Sequence, residues 1–222
     1  MKAIIYILLF LLKLELIEAR EENDLECKTS LRIYRECEKN KEIHCGNLIV
    51  ERYSVLLYKE LNETLSKKIK SRSCQKVAKI LKKYLLKLPK NEGLVYSGQP
   101  ETSYLKNLVV GSCFKVTTFL STSTRAEVAK GFIEHASTMS YALLKISSKS
   151  GVNISSWSLF PDESEVLLLP GTQLILTEKA LVPEKIVRKN LADPEHPEVP
   201  LPTFVLSNTY TFREKTKKDK CP

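Results

Sequence analysis

The chain has 222 residues, of which 43% are hydrophobic and 27% are charged, and its formal net charge is +9. This length is that of one domain with a sizeable core. Beyond the N-terminus no segment reaches the roughly 20 apolar residues that a membrane span needs. The basic charge is not accompanied by an aromatic–basic platform, so we expect no nucleic-acid partner. The Lys-rich stretch at 67–87 is interpreted as the solvated face of a helix.

The N-terminus has the pattern of a secretory signal peptide. Lys2 precedes an apolar run at 3–12, and Ala19 offers a small residue for cleavage. We therefore expect residues 1–19 to be removed and the mature protein to be secreted and extracellular. The basic tail at 214–222 lacks the hydrophobic end that directs lipid anchoring. We accordingly expect a monomer without a membrane anchor.

The cysteines fit this compartment. An even number of cysteines in an exported chain predicts disulfides, although six cysteines allow 15 pairings. We expect Cys221 to bond an N-terminal cysteine such as Cys27. No Cys-x-x-Cys pair occurs and the three histidines show no ligand spacing, so we expect no metal site. Asn62 and Asn153 begin glycosylation acceptor triplets. The six cysteines are Cys27, Cys37, Cys45, Cys74, Cys113 and Cys221.

The first part of the mature chain, residues 20–92, is predicted to be mainly helical. One apolar stripe repeats every four residues from Tyr53 to Leu65, and a second runs from Val77 to Leu88 with lysines mostly opposite it. Pro89 is expected to end the second helix. Both stripes are interpreted as packing faces.

Residues 93–213 are predicted to be rich in β-strands. Short runs of branched and aromatic residues alternate there with Gly, Pro, Asn and Ser. One helix is expected after Thr124, with Val128, Phe132 and His135 on one face. A Pro-rich surface connector at 194–202 precedes the last strand. The expected strands are Leu94–Ser97, Val116–Leu120, Tyr141–Ile146, Glu165–Leu169, Thr172–Thr177 and Thr203–Phe212.

Three segments of this second part carry candidate functional residues. They are Leu94–Gly98, Phe119–Ser123 and Ser158–Gly171, and the last of them contains Glu163 and Glu165. A Ser/Thr cluster before a helix is by itself a helix cap, and two acidic residues at the start of a strand are by themselves a solvated edge. The order, the spacing and the flanking residues together indicate one site.

In this order the segments resemble the arginine-specific mono-ADP-ribosyltransferases of the secreted and cell-surface type, whose motif combines an arginine, a serine and Glu-x-Glu. The likeness covers about residues 49–212. It implies an α+β fold in which an N-terminal helical part, 20–92, packs on a split, mostly antiparallel β-core. The β-core, 93–213, would carry the NAD site, and both parts would form one domain at 20–222.

The resemblance also implies the reaction. NAD is the co-substrate, an arginine on a protein is the acceptor, and no metal takes part. NAD is cleaved between nicotinamide and ribose through a transition state with positive charge on the ribose. Glu165 is implied to stabilise that charge, and Glu163 to orient or deprotonate the acceptor guanidinium. Ser121 is implied to hold the carboxylate and the ribose in register.

The same resemblance implies the residues that bind NAD. They come from the first motif, from the turn after the serine motif and from the loop before the glutamates. They are Tyr96, Ser97, Gly98, Ser123 and Ser158.

One position departs from the family pattern, which usually reads Tyr-Arg-Gly where this chain has Tyr-Ser-Gly around Ser97. A serine donates one hydrogen bond but brings neither the charge nor the planar fork of a guanidinium. Such a loss costs about 1.5–3 kcal/mol. Lys106, Lys115 and Arg125 are nearby cations that would compensate. Two other functions therefore stay open: a non-catalytic or weakly active scaffold, and an NAD glycohydrolase in which water replaces the acceptor.

Overall fold

The structure is a computed structural model, and it divides the chain into two compact units. The first unit reaches Leu88 and includes Trp157–Leu159, and the second contains Pro89–Ser156 and the chain from Phe160 onward. In the part of the chain that the structure describes, no helix is both long and apolar enough to cross a bilayer. The expected signal peptide and the Pro-rich connector lie outside that part. The described residues are 24–41, 44–134, 141–181 and 208–219.

The first unit is helical. Its helices are α1 (24–39), α2 (Cys45–Arg52), α3 (Tyr58–Leu65) and α4 (Arg72–Leu85), and a π-helical turn, Tyr53–Leu57, joins α2 to α3.

Both predicted apolar stripes are confirmed as packing faces of the first unit. The side chains at four-residue spacing that reach zero exposure include Tyr53, Leu57 and Leu61 along the π-helical turn and α3. Val77 and Leu81 of α4 are equally buried. Because the apolar faces of these helices are removed from water together, the hydrophobic effect holds the helices against one another.

Two disulfides link the helices of the first unit, and they correct one expectation. Cys27 bonds Cys74, not Cys221, and Cys37 bonds Cys45. The reason is local: α1 and α4 bring the Cα atoms of Cys27 and Cys74 to 5.0 Å, within the range that a disulfide needs. Cys113 of the second unit is also disulfide-bonded.

The second unit is built on one seven-stranded sheet with the strand order β1-β3-β5-β4-β7-β6-β2, in which β1 also pairs with β4. Among the strands of the described residues only β4 and β7 run parallel, so the predicted mostly antiparallel core is confirmed. Strands β1, β3, β5 and β4 thus close into a ring of pairings. The strands are β1 (Asn91–Pro100), β2 (Cys113–Lys115), β3 (Leu120–Ser123), β4 (Tyr141–Asn153), β5 (Glu165–Leu168), β6 (Gln173–Ala180) and β7 (Asn208–Glu214). In the described part of the second unit two helices accompany the sheet, α5 (Ser103–Asn107) and α6 (Ala126–Glu134).

The predicted strand at Val116–Leu120 is wrong. β2 ends before this segment, and β3 begins only at Leu120. Val116 exchanges backbone hydrogen bonds with Gly171 and Thr172 of a turn, although its side chain and that of Phe119 are buried. An apolar run that is buried in a loop has the same composition as a strand, and this explains the error.

The predicted face of α6 is also partly wrong. Phe132 is 57% exposed, whereas Ala129, one turn earlier, is buried against Tyr141 and Leu143. His135 lies outside the described residues. A small side chain therefore provides the contact of α6 with the sheet, where the pattern favoured a large one.

A polar contact stabilises an irregularity in the pairing of β4 with β1 between Ser148 and Gly151, which bends β4 before it reaches β5. One carboxylate oxygen of Glu214, on β7, accepts hydrogen bonds from the hydroxyl of Ser148 and from the backbone N–H groups of Lys149 and Ser150. The N–H of Gly151 donates to the same Ser148 hydroxyl. The bend lets the end of β4 pair with β5.

We predict that Gly151→Ala destabilises the second unit. A Cβ atom at position 151 would lie 2.7 Å from a methyl group of Val166 and 2.9 Å from the Ser148 hydroxyl. We expect a loss of about 1–3 kcal/mol in the free energy of unfolding, measured by urea titration. Gly131→Ala is the control, because nothing lies within 4 Å of its new Cβ. Equal stabilities of the two variants would contradict the prediction.

Candidate active site

Tyr96, Ser123 and Glu165 form one row across three neighbouring strands. Tyr96 of β1 is directly opposite Ser123 of β3, and Ser123 is directly opposite Glu165 of β5. Directly opposed residues of antiparallel strands have their side chains on the same face, and Ser121 shares it because it precedes Ser123 by two residues. The sheet register thus brings together one residue of β1, two serines of β3 and Glu165 of β5, three segments that are far apart in the sequence.

Glu165 is a buried carboxyl, with 7% of its surface exposed at the start of β5. Burial, and to a smaller extent the nearby charge of Glu163, raise its pKa to about 7. A hydrogen bond with the exposed Ser121 acts in the opposite direction by favouring the ionised form. Near neutral pH this carboxyl is therefore balanced between its neutral and charged states, a property that is concentrated in functional sites.

The end of β3 binds the backbone of the loop that carries Glu163. The Ser123 hydroxyl donates a 2.6 Å hydrogen bond to the carbonyl oxygen of Glu163, and the Thr124 N–H donates to the carbonyl oxygen of Ser164. Ser164 has φ 49° and ψ 46°, in the left-handed region that non-glycine residues seldom adopt. Glu163 is half-buried at the end of a 3₁₀ turn, and burial raises its pKa.

Of the three cations considered for compensation, Arg125 lies at this loop. Its guanidinium donates to the carbonyl oxygen of Asp162 and to the carboxylate of Glu127. Lys106 instead forms an ion pair with Glu101. Lys115 is exposed on β2, which pairs with β6. The sequence did not distinguish Arg125 from the two lysines, because its contact is with a backbone carbonyl 37 residues later.

Ser97 is buried, with 2% of its surface exposed, and its side chain lies on the core face of the sheet, as that of Val95 does. It is directly opposite Leu144, a core residue, and its hydroxyl donates a 2.8 Å hydrogen bond to the carbonyl oxygen of Ser121. The same hydroxyl accepts a hydrogen bond from the side chain of Gln99. Ser97 thus holds β1 against the serine motif, while its neighbour Gly98 is half-buried opposite Leu143.

The last candidate, Ser158, belongs to the first unit, where the neighbouring Leu159 N–H donates to the Ser54 hydroxyl. The row of Tyr96, Ser123 and Glu165 belongs to the second unit. Among the residues described, no group of three or more His, Cys, Asp and Glu side chains is arranged to hold a metal ion.

Comparison with known proteins gives the family to which the chain belongs. The family model described as NAD:arginine ADP-ribosyltransferase matches residues 33–182. The chain belongs to this family of ADP-ribosyltransferases. The family match therefore confirms the resemblance that the serine and Glu-x-Glu motifs indicated. The α+β fold class that the resemblance implied is likewise confirmed by solved ADP-ribosyltransferase structures.

Individual relatives resemble this chain in sequence or in fold. Mav of Mycobacterium avium (strain 104), named as a provisional NAD(+)–arginine ADP-ribosyltransferase, is 32% identical over 128 residues, or 57% of this chain. The match spans only 15% of the length of Mav. The Vis toxin of Vibrio splendidus has a TM-score of 0.60 at 21% identity, with 91% of this chain and 86% of Vis covered. Exoenzyme S of Pseudomonas aeruginosa has a TM-score of 0.56 at 15% identity, with 89% and 88% covered.

We predict that Glu165→Gln stabilises the protein more at about pH 8 than at about pH 5. The folded-state pKa lies above the ordinary value, so folding favours the protonated carboxyl and loses stability as pH rises through this range. The amide of glutamine does not ionise, so the variant does not lose this stability as pH rises. Urea unfolding at both pH values measures the difference. Glu127→Gln, which removes an exposed carboxylate, serves as the control and should show no gain at the higher pH. The same stability change of Glu165→Gln at both pH values would contradict the prediction.

Proposed function

We propose that the protein cleaves NAD and transfers its ADP-ribose to the guanidinium of an arginine on a protein outside the producing cell. The observation that carries this proposal is the buried Glu165, which is hydrogen-bonded to Ser121 and preceded two residues earlier by Glu163. Family membership supports the transfer chemistry. Mav is far longer than the matched region, so the activity is proposed for this chain on its own residues.

Glu165 is proposed to stabilise the transition state. As the bond between the nicotinamide nitrogen and ribose C1′ breaks, its electron pair leaves with nicotinamide and positive charge develops on the ribose. An ionised carboxylate in a partly desolvated position lowers the energy of that charge more than a solvated one does. The exposed Ser121 hydroxyl beside it is placed to keep the carboxylate ionised and oriented.

Glu163 is proposed to serve the acceptor. A guanidinium nitrogen attacks ribose C1′, forms the new C–N bond and loses a proton. Glu163 would hold the planar guanidinium and accept that proton, since burial has already raised its pKa above the ordinary value. Vis was solved in complex with agmatine, a guanidino compound, which supports an acceptor of this class here.

The remaining candidates are proposed to shape the NAD site. Tyr96 and Gly98 would line the NAD side of β1, Ser123 would hold the glutamate loop, and Ser158 would line the pocket. Ser97 would act through Ser121, whose carbonyl it binds. A complex of Exoenzyme S with carba-NAD supports NAD as the co-substrate of this fold.

The extracellular setting of the proposal is supported by the disulfides of the helical unit. Disulfides persist in oxidising compartments and are rare in the cytosol. The bonds Cys27–Cys74 and Cys37–Cys45 fit the secretory pattern of the first 19 residues.

The transfer reaction is tested with mature protein, labelled NAD and agmatine as the acceptor. We expect transfer of label to agmatine with release of nicotinamide. Glu165→Gln should lower both by at least about a hundredfold, because a preorganised electrostatic contact is lost. Glu163→Gln should abolish transfer but keep nicotinamide release within about tenfold.

Three outcomes separate this proposal from the alternatives. Release of nicotinamide without transfer, in wild type as in Glu163→Gln, would favour the NAD glycohydrolase. Calorimetric binding of NAD without turnover would favour the scaffold. Loss of nicotinamide release in Glu163→Gln equal to that in Glu165→Gln would contradict the separate roles of the two glutamates.

We predict that kcat/KM for NAD falls as pH drops below about 7. Glu165 must be ionised to stabilise a positive charge, and its pKa in the free protein is about 7. The decline should approach tenfold per pH unit, measured as nicotinamide release at low NAD concentration. Circular dichroism at each pH controls for unfolding. A profile that stays level down to about pH 5.5 would contradict this assignment.

A further inference from the structure

The positive charge of the protein is concentrated in one segment. Residues 64–91 contain ten of the 35 basic residues and none of the 26 acidic ones. The rest of the chain is therefore almost neutral, and the net charge of +9 belongs to this segment. Blocks of like charge in such a chain are typical of interaction surfaces. The segment comprises the end of α3, the following loop, α4 and the residues leading to β1.

Helix α4 arranges part of this charge in a line, which we call the basic stripe. Its members are Arg72, Lys76, Lys79 and Lys83, all of which are exposed. With about 100° of rotation and 1.5 Å of rise per residue, they fall within an arc of about 60° and follow one another at steps of about 4–6 Å. A partner that matches the basic stripe must therefore carry closely spaced negative charges along a line.

The basic stripe is not neutralised by ion pairs within the described ranges of the chain. None of its four members forms an ion pair with any residue in the described part of the chain. Like charges at three- and four-residue spacing destabilise a helix, and Arg72 in the first turn opposes the helix dipole. No acidic residue occupies that first turn. A bound polyanion would relieve this repulsion.

The residues around the basic stripe argue against two classes of polyanion, an anionic membrane and a nucleic acid. Val77, Leu81 and Leu85 of α4 are fully buried and Ile80 is half-buried, so the helix keeps no wide apolar face to insert into a membrane. Tyr84 lies about a third of a turn away from the stripe and is half-buried, so no aromatic ring lies within the stripe to stack on bases.

We propose that the basic stripe binds a linear sulfated polysaccharide. Sulfate groups are permanently ionised, they repeat along an extended chain, and lysine binds them as point charges without needing an aromatic platform. This surface is independent of the glutamate site, which lies in the other unit. The binding therefore stands or falls separately from the proposed transferase activity.

The test measures binding of heparin to mature protein by calorimetry and by salt elution at about 0.15 M ionic strength and above. The variant Lys76→Gln/Lys79→Gln/Lys83→Gln should weaken binding at least tenfold and reduce its salt dependence. The control Lys39→Gln/Lys59→Gln/Lys149→Gln removes the same charge from other exposed positions and should change binding less than threefold. Lys76→Arg/Lys79→Arg/Lys83→Arg should retain binding.

The specificity arms use desulfated heparin, single-stranded DNA of matched length and vesicles rich in phosphatidylserine. We expect each to bind at least tenfold more weakly than heparin. An equal loss of heparin binding in the stripe and control variants would overturn the proposal, because binding would then depend on the total charge of the protein. Tighter binding of DNA or vesicles than of heparin would overturn it in favour of those partners. The far-ultraviolet circular dichroism of the stripe variant should match that of the wild type, which shows that the variant is folded.

Discussion

The geometry of the candidate site depends on the attachment of one loop to the end of β3. Glu163 and Glu165 are separated by Ser164, whose left-handed backbone turns the chain sharply between them. The Ser123 hydroxyl and the Thr124 N–H bind the carbonyl groups on either side of that turn. Together with the hydrogen bond from the Ser164 N–H to the carbonyl oxygen of Pro161, these two bonds compensate the strain of the residue. Without them the two carboxyls would lose their fixed separation. Two acidic side chains with different surroundings then have different roles available to them.

Ser97 illustrates how a substitution in a motif changes what the position does. Where the family pattern has an arginine, this chain has a small hydroxyl buried between β1 and β3. That hydroxyl is paired at both its donor and its acceptor sites. The position thereby contributes to the rigidity of the serine motif, and Arg125 is the cation that lies at the glutamate loop. A motif difference of this kind changes contacts within the protein as well as contacts with a ligand.

Much of the fold followed from periodicity, and the site followed from motif order. Sequence alone predicted the apolar stripes that begin at Tyr53 and Val77, and also the serine and glutamate segments. Each of these features depends on residue type at a local spacing. The Cys27–Cys74 bond and the Arg125 contact were not readable, since both depend on which distant segments meet. Ser164 carries no signal for its left-handed conformation either, because serine is not typical of that region.

Because Glu214 is synthesised after Glu165, the contacts that it makes form only after the glutamate motif has been translated. Glu214 stabilises the bend after which β4 pairs with β5, and Glu165 begins β5. A nascent chain in which residue 165 has left the ribosome still lacks this carboxylate for almost 50 more residues. The buried carboxyl therefore reaches its final environment only near the end of translation, so an incomplete chain would carry the motif without the environment that tunes it.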